Sequence, residues 1–319
     1  MRPVPTLDLD CARLLPLETL STAVGTPVVD STKVGPVERS HLADFEYAGG
    51  LQCAWEDATG RVMIVAGVVP RATGAQLRLS VEQGYSKEDG EAAVAAPLSS
   101  FCDRDVGCSI RGFVGDTFVR LYTPTTPWSG LPGTAETLAD ALKSSVTAAG
   151  EALPLPPLSS EWASGPRSCE EMIPAVDFAK ALEVPEIHYG YGFPLDSSDG
   201  YEYGLLAAGG FACSYSSGVD REFSGRVTVL PDAGEVASDL IAAAAEPREL
   251  AGSAAGPLVV ECWNNGDPPW TESSTGECTL IFSKRGALVR VSASDHGISR
   301  DALRDRAEIV ARVVSAALS

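Results

Sequence analysis

Gly49-Gly50-Leu51-Gln52-Cys53-Ala54-Trp55 returns half a chain later as Gly209-Gly210-Phe211-Ala212-Cys213-Ser214-Tyr215. Both copies place Gly-Gly, an apolar residue, a cysteine and an aromatic ring in the same order. In an extended strand alternate side chains share a face, so the apolar residue, the cysteine and the ring lie on one side. A glycine pair leading into such a strand reads as a core strand stapled by a disulfide. No catalytic motif surrounds either copy.

The likeness extends in both directions. Upstream, Cys11 opens a segment with Leu14, Leu15 and Pro16, then Leu17, Leu20, Ala23 and Val24 on one helical face, stopped by Gly25. Its counterpart opens at Cys169. There Met172, Ile173 and Pro174 match Leu14, Leu15 and Pro16, and Phe178, Ala181 and Leu182 match Leu20, Ala23 and Val24. Downstream, Gly60-Arg61-Val62-Met63-Ile64-Val65 and Gly225-Arg226-Val227-Thr228-Val229-Leu230 read as the return arms of hairpins. Residues 75–79 are ambiguous, whereas the alanine-rich run 234–245 reads as helix. Each half then brackets a turn with two cysteines, Cys102 and Cys108 in the first, Cys262 and Cys278 in the second. Ten residues past the later cysteine come Phe118-Val119-Arg120-Leu121 and Leu288-Val289-Arg290-Val291. A helix closes each half, over 135–149 and 299–318; the latter carries Leu303, Ala307, Val310 and Val314 on one stripe.

These matches divide the chain into a first unit, 1–150, and a second, 167–319. Between them, 151–166 is rich in Pro and Ser and contains Leu153-Pro154-Leu155-Pro156-Pro157, which reads as a semi-rigid, mostly extended linker. At 319 residues, with 45% hydrophobic and 21% charged residues, the composition is that of folded protein. A formal net charge of −19 argues against nucleic acid and against an electrostatic grip on anionic membranes, leaving solubility or cationic partners. No stretch reaches the roughly 20 apolar residues of a membrane span, and the N-terminal residues lack the apolar run of a signal peptide. An exported protein would therefore be shown here as its mature region. Asp8-Leu9-Asp10 argues against Cys11 as a lipid-attachment site.

The eight cysteines include no C-x-x-C pair, and His41, His188 and His296 are scattered, so no zinc spacing arises. Paired disulfides in an oxidising compartment are the leading account; eight buried thiols in a cytoplasmic protein are the rival. Eight cysteines allow 105 pairings, but a duplicated unit should pair within itself and in the same way twice. The order of helix cysteine, strand cysteine and close pair then gives Cys11–Cys53 with Cys102–Cys108, and Cys169–Cys213 with Cys262–Cys278. A bridge closing a loop of about 42 residues contributes roughly 3–4 kcal/mol in the chain-entropy model.

The Cys-x-x-Leu-Leu helix, the Cys-x-Trp strand and the closing helix resemble exported actinobacterial lipoproteins of a cysteine-containing domain-of-unknown-function family. In style they also resemble, more distantly, the extracellular sensor domains of mycobacterial serine/threonine kinases. The resemblance covers 11–149 and 169–318, and departs from the pattern at Tyr215 and in the long turn before Cys278. It implies an α+β fold of two tandem units, each an antiparallel sheet packed by an N-terminal and a C-terminal helix. It implies export to the cell envelope and binding rather than catalysis, and it brings no active-site residues with it.

Chemistry is sparse. No Gly-x-Ser-x-Gly elbow is present, and Asp295-His296 reads as a loop or cap. His41, ahead of the alternating Leu42-Ala43-Asp44-Phe45-Glu46-Tyr47, reads as a strand-edge residue. Asp103/Asp105 and Asp196/Asp199 read as acidic turns, and Asp196 to Glu202 lacks a full calcium-loop spacing. Gly190-Tyr191-Gly192 lacks the third glycine of a phosphate loop. No cofactor is expected. The aromatic residues Tyr189, Tyr191, Phe193, Tyr201 and Tyr203 crowd one segment of the second unit, whereas 26–40 in the first has none. Period two puts the first three on one strand face, with Tyr201 and Tyr203 facing them across a turn. They are either a recognition surface or the filling of the second unit and its contact with the first. Trp263 and Trp270 form a second candidate patch. The expected function is a non-catalytic extracellular binding or sensing module for an envelope protein or small molecule, touching a membrane only through an anchor outside this chain. A groove between the units is its natural site. One alternative is an enzyme joining a histidine (His188 or His296) to a carboxylate of the other unit. The other is a carrier of an apolar molecule, which needs a cavity between sheet and helices.

Overall fold

Each Gly-Gly pair ends a helix and starts a strand. Gly49 and Gly209 have φ of 74° and 80°, the left-handed geometry that a helix stop needs and glycine adopts without strain. Gly49 N–H donates to Glu46 O and Gly50 N–H to Phe45 O; Gly209 and Gly210 repeat this on Leu206 and Leu205. The second glycine also lies against the neighbouring strand: a Cβ at Gly50 would fall 2.0 Å from Val68 O.

The structure, a computed structural model, describes residues 5–31, 36–60, 62–82, 86–96, 98–103, 107–123, 133–191, 201–217, 223–244, 248–249, 256–264, 275–296 and 298–319. The first half runs α1 (Cys11–Leu14), α2 (Leu17–Val24), β1 (Val28–Asp30), α3 (Pro36–Tyr47), β2 (Leu51–Asp57) and β3 (Val62–Val69). It continues through α4 (Thr73–Glu82), α5 (Lys87–Ala95), β4 (Ser99–Asp103), β5 (Gly107–Val114), β6 (Thr117–Thr123) and α6 (Thr134–Ala149). After α7 (Ser160–Ala163), the second half runs α8 (Cys169–Met172), α9 (Ala175–Ala181), β7 (His188–Tyr191), α10 (Tyr201–Ala207), β8 (Phe211–Ser216) and β9 (Ser224–Leu230). It ends with α11 (Gly234–Ala243), β10 (Arg248–Glu249), β11 (Pro257–Asn264), β12 (Thr275–Lys284), β13 (Ala287–His296) and α12 (Arg300–Ala317).

All strand pairs are antiparallel, and the two sheets share one topology. The first has the order β1-β2-β3-β6-β5-β4; the second has β7-β8-β9-β13-β12-β11 with β10 added at its edge. The protein is therefore α+β with two like sheets. Bridges Cys11–Cys53, Cys169–Cys213 and Cys262–Cys278 are formed as the duplication requires, all within their own half. The fourth expected bridge involves the Cys102 side chain, which lies outside the described residues. The backbone register places Cys102 opposite Cys108, as Cys262 stands opposite Cys278.

The outer face of each sheet carries the expected helices. Leu14, Leu15, Leu20, Leu138 and Leu142 pack on Cys53, Trp55, Ile64 and Leu121 in the first half. Phe178, Leu303, Val310 and Val314 pack on Phe211, Val229, Leu280 and Val289 in the second. Two helices per sheet do not complete the fold, however. The inner faces of both sheets share a middle layer of α3, α4, α10 and α11. From α3, Phe45 packs with Val69, Phe113 and Phe118 of the first sheet, while Ala43 and Tyr47 pack with Leu230, Ile281 and Leu288 of the second. From α10, Leu205 and Leu206 join the second sheet, while Tyr201, Tyr203 and Ala207 join the first.

That layer corrects two expectations. Residues 42–47 and Tyr201 and Tyr203 are helical, not extended. A helix buried between two sheets is apolar on several sides and shows no single 3.6-residue stripe, so its sequence imitates alternation. Within the expected linker, 151–166, Trp162 of α7 is completely buried in the second core.

Candidate functional site

Where the linker crosses between the halves, it lines a groove of about 950 Å3. Tight anchors hold the strap. Leu153 N–H donates to Thr6 O (2.9 Å), and Thr6 N–H donates in turn to Gly49 O (2.8 Å). At the other end, Ser159 donates its N–H (2.8 Å) and its hydroxyl (2.5 Å) to the Asp232 carboxylate. Trp162 then donates its indole N–H to Arg285 O (2.7 Å), under a guanidinium 5.6 Å from the ring centre. Arg285 also pairs with Glu161 at 3.3 Å. Proline locks φ and carries no N–H, so Pro154, Pro156 and Pro157 hold the strap extended and leave it poor in donors.

The groove takes its surfaces from both halves. Pro5, Thr6 and Tyr47 come from the first half, and Ala208, Pro231 and α11 from the second. The strap supplies Leu153, Leu155 and Leu158; Leu153 is 68% exposed, which leaves apolar surface at the rim. On the α11 side stand Glu235, Ser238 and Asp239, with Asp232 and Glu161 nearby. Glu235 and Asp239 are four residues apart and so share one helix face. No Lys, Arg or His is among the residues lining the groove.

The sequence-expected aromatic residues do not assemble into one patch. Tyr203 stacks on Phe118 (4.1 Å), meets Phe113 edge-on and donates to Gln76 Oε1 (2.5 Å). Burial pushes its hydroxyl up to about 12. Tyr201 lies under the Arg120 guanidinium (4.7 Å) and against His41 and Phe45. Both rings therefore fill the contact between halves. Tyr189 stacks on Phe178 and donates to Ile173 O (3.1 Å), within its own half, and burial raises its pKa. Trp263 is partly exposed on β11. The Tyr191 side chain, Phe193 and Trp270 lie outside the described residues, as do Asp105, Asp196 and Asp199.

Sequence reasoning missed the buried ionic centre between the halves. Arg290 donates to both oxygens of Asp44 (2.8 Å each) and to Ser40 O (2.7 Å), all of them buried. His41 sits 3.6 Å from Asp44; burial and then the Arg290 charge lower its pKa, which keeps the imidazole neutral. The sign that could have exposed this centre is an arginine at the same place in two β-branched strands. His188 pairs with exposed Glu186 of its own half (3.3 Å), and the His296 side chain lies outside the described residues. Among the described residues no group of three His, Cys, Asp or Glu side chains is placed to hold a metal. Nor is any helix there long and apolar enough to cross a membrane. No family model, curated protein or solved structure matches this chain.

Proposed function

We propose that this protein is a non-catalytic binding module of the extracellular cell envelope, and that its ligand seat is the groove along the linker strap. The observation that carries this reading is a groove lined by both halves and by a strap anchored at each end. Binding sites favour such domain junctions, and anchoring lowers the ordering cost of capture. The disulfides support an oxidising, extracellular setting. Envelope attachment and lipoprotein character rest on the motif resemblance. Filled layers between each sheet and its outer helices weigh against an apolar carrier.

The test is a thermal-shift screen of peptides and small molecules on the intact protein and on Ser238→Trp, which fills the groove from an exposed position. Ligands that stabilise the parent and lose their effect in Ser238→Trp support the reading. Ligands that stabilise both proteins equally place binding elsewhere, and consumption of a ligand would make the protein an enzyme.

A further inference from the structure

The geometry points to a proton-operated clasp between the two halves: protonation of His41 loosens the crossing of α3 and α10. The inference does not depend on the groove being a ligand seat.

His41 stands at the crossing itself. It and Tyr201 each lie eight residues before the first glycine of their Gly-Gly pair, so they are the same position in the two copies. They meet, with ring centres 4.6 Å apart. One helical turn further on, Gly204 lies against the Asp44 backbone, so the crossing is tight.

The groups that face His41 come from four other elements as well as its own. They are Asp44 on α3 (3.6 Å), Arg290 of β13, Arg226 of β9, and Tyr201 of α10 with the Arg120 guanidinium of β6 over its ring. Other carboxylates of this layer act elsewhere. Glu202 acts on Tyr203, and Glu277 of β12 is drawn to Arg226. Glu235 and Asp239 of α11 line the groove with Tyr47, about 9 Å along α3 from His41 at 1.5 Å per residue.

A proton on His41 therefore brings one more cation to a carboxylate that is already neutralised. Arg290 holds both Asp44 oxygens at 2.8 Å, and Arg120 already takes the face of Tyr201 at 4.7 Å. Burial first and the Arg290 charge next hold the His41 pKa below its ordinary 6.5, although Asp44 offsets part of this. The sign follows. A separated or unfolded His41 takes its proton near 6.5, the clasped one only at lower pH. The neutral ring thus contributes in full above pH 6.5, and that contribution falls as pH drops below it. The short path to water is parting of the two helices, because Cys11–Cys53 and Cys169–Cys213 tie the outer helices to their sheets. The same two helices carry Tyr47 and Ala208 to the groove, so acid would also change the groove's walls.

The test is hydrogen exchange followed by mass spectrometry at about pH 7.5 and about pH 5.5, corrected for the intrinsic rate, on the intact protein and on His41→Gln. In the intact protein, protection of α3 and α10 should fall about tenfold at the lower pH, while α6 and α12 keep theirs. His41→Gln, which has no ring to protonate, should protect α3 and α10 equally at both values. A second measurement does not need that variant to fold. In His188→Gln/His296→Gln, His41 is the one remaining histidine of the chain, and its imidazole should titrate below 6.5 by NMR, together with amides of α3 and α10.

Titration at or above 6.5 would overturn the inference. So would protection of α3 and α10 that ignores pH, or an acid loss in His41→Gln equal to that of the parent. Loss spread evenly over α6 and α12 would mean acid unfolding of the whole chain, and would overturn the clasp as well.

Discussion

Arg120 and Arg290 stand at the same place in corresponding strands, β6 and β13, and both point into the layer between the sheets, where they meet different neighbours. Arg290 grips Asp44 with two 2.8 Å bonds, whereas Arg120 lies over the rings of Tyr201 at 4.7 Å and Phe45 at 5.6 Å. The difference follows from where the two helices cross. Asp44 and Gly204 each stand five residues before the first glycine of their Gly-Gly pair, so they are the same position in the two copies. They meet at the crossing, where a Cβ on Gly204 would lie 2.6 Å from Asp44 O. Near a pseudo-twofold crossing a residue meets its own counterpart, and only one side of this contact has room for a side chain. The copy that kept the carboxylate supplied a partner for Arg290; where the other copy has glycine, Arg120 lies over the rings of Tyr201 and Phe45 and donates to the Tyr201 hydroxyl (3.4 Å).

The largest effect should come from breaking the ionic side. Asp44→Ala leaves the Arg290 guanidinium buried without its carboxylate, which should cost about 3–5 kcal/mol in denaturant unfolding. Tyr201→Leu, on the aromatic side, should cost only about 1–2 kcal/mol. Equal losses at the two sites would dissolve the contrast. Replacing both ionic partners, as Asp44→Leu/Arg290→Met, should recover most of the Asp44→Ala loss, because apolar replacement of a buried pair is close to neutral.

Gly204→Ala tests the crossing itself. The neighbour of the added methyl is backbone, which yields poorly, so a cost of about 1–3 kcal/mol is expected. A neutral result would show that α3 and α10 can separate freely.

The smallest effect concerns Tyr203. Phenylalanine there removes the bond to Gln76 and should cost about 1 kcal/mol at neutral pH. Its folded pKa of about 12 lies above the unfolded value of 10.0. The neutral phenol therefore contributes in full below pH 10, and that stability is lost as pH rises toward 12. Tyr189 and Tyr215 are also raised by burial and act in the same direction. Tyr203→Phe should thus lose less stability than the parent between pH 10 and 12, measured by chemical unfolding across that range.

What the sequence revealed followed local repetition. The Gly-Gly strand, the paired cysteines and the closing helices recur at matching places, so duplication and within-unit pairing were legible from residue order alone. The identities of α3 and α10 were not, because each is packed on two sides by sheets the sequence does not show meeting. Leu42 to Tyr47 and Tyr201 to Tyr203 misled in the same way, being equivalent segments under the same constraint. At the site, Pro154, Pro156 and Pro157 announced an extended strap. Its anchors on Thr6, Asp232 and Arg285 are long-range contacts without a local pattern. Arg120 and Arg290 were visible as matched residues, but their partners depend on how the halves dock.

The central claim is that the halves are held by a shared helical layer, with the strap as an anchored wall rather than a tether. Its most direct test is to insert a protease site between Leu155 and Pro156, cut the folded protein and follow it by size-exclusion chromatography. None of the described disulfides joins the halves. The nicked protein should elute with the uncut protein in native buffer and separate only on denaturation. Two half-sized, folded species in native buffer would contradict the shared layer and remove the groove with it.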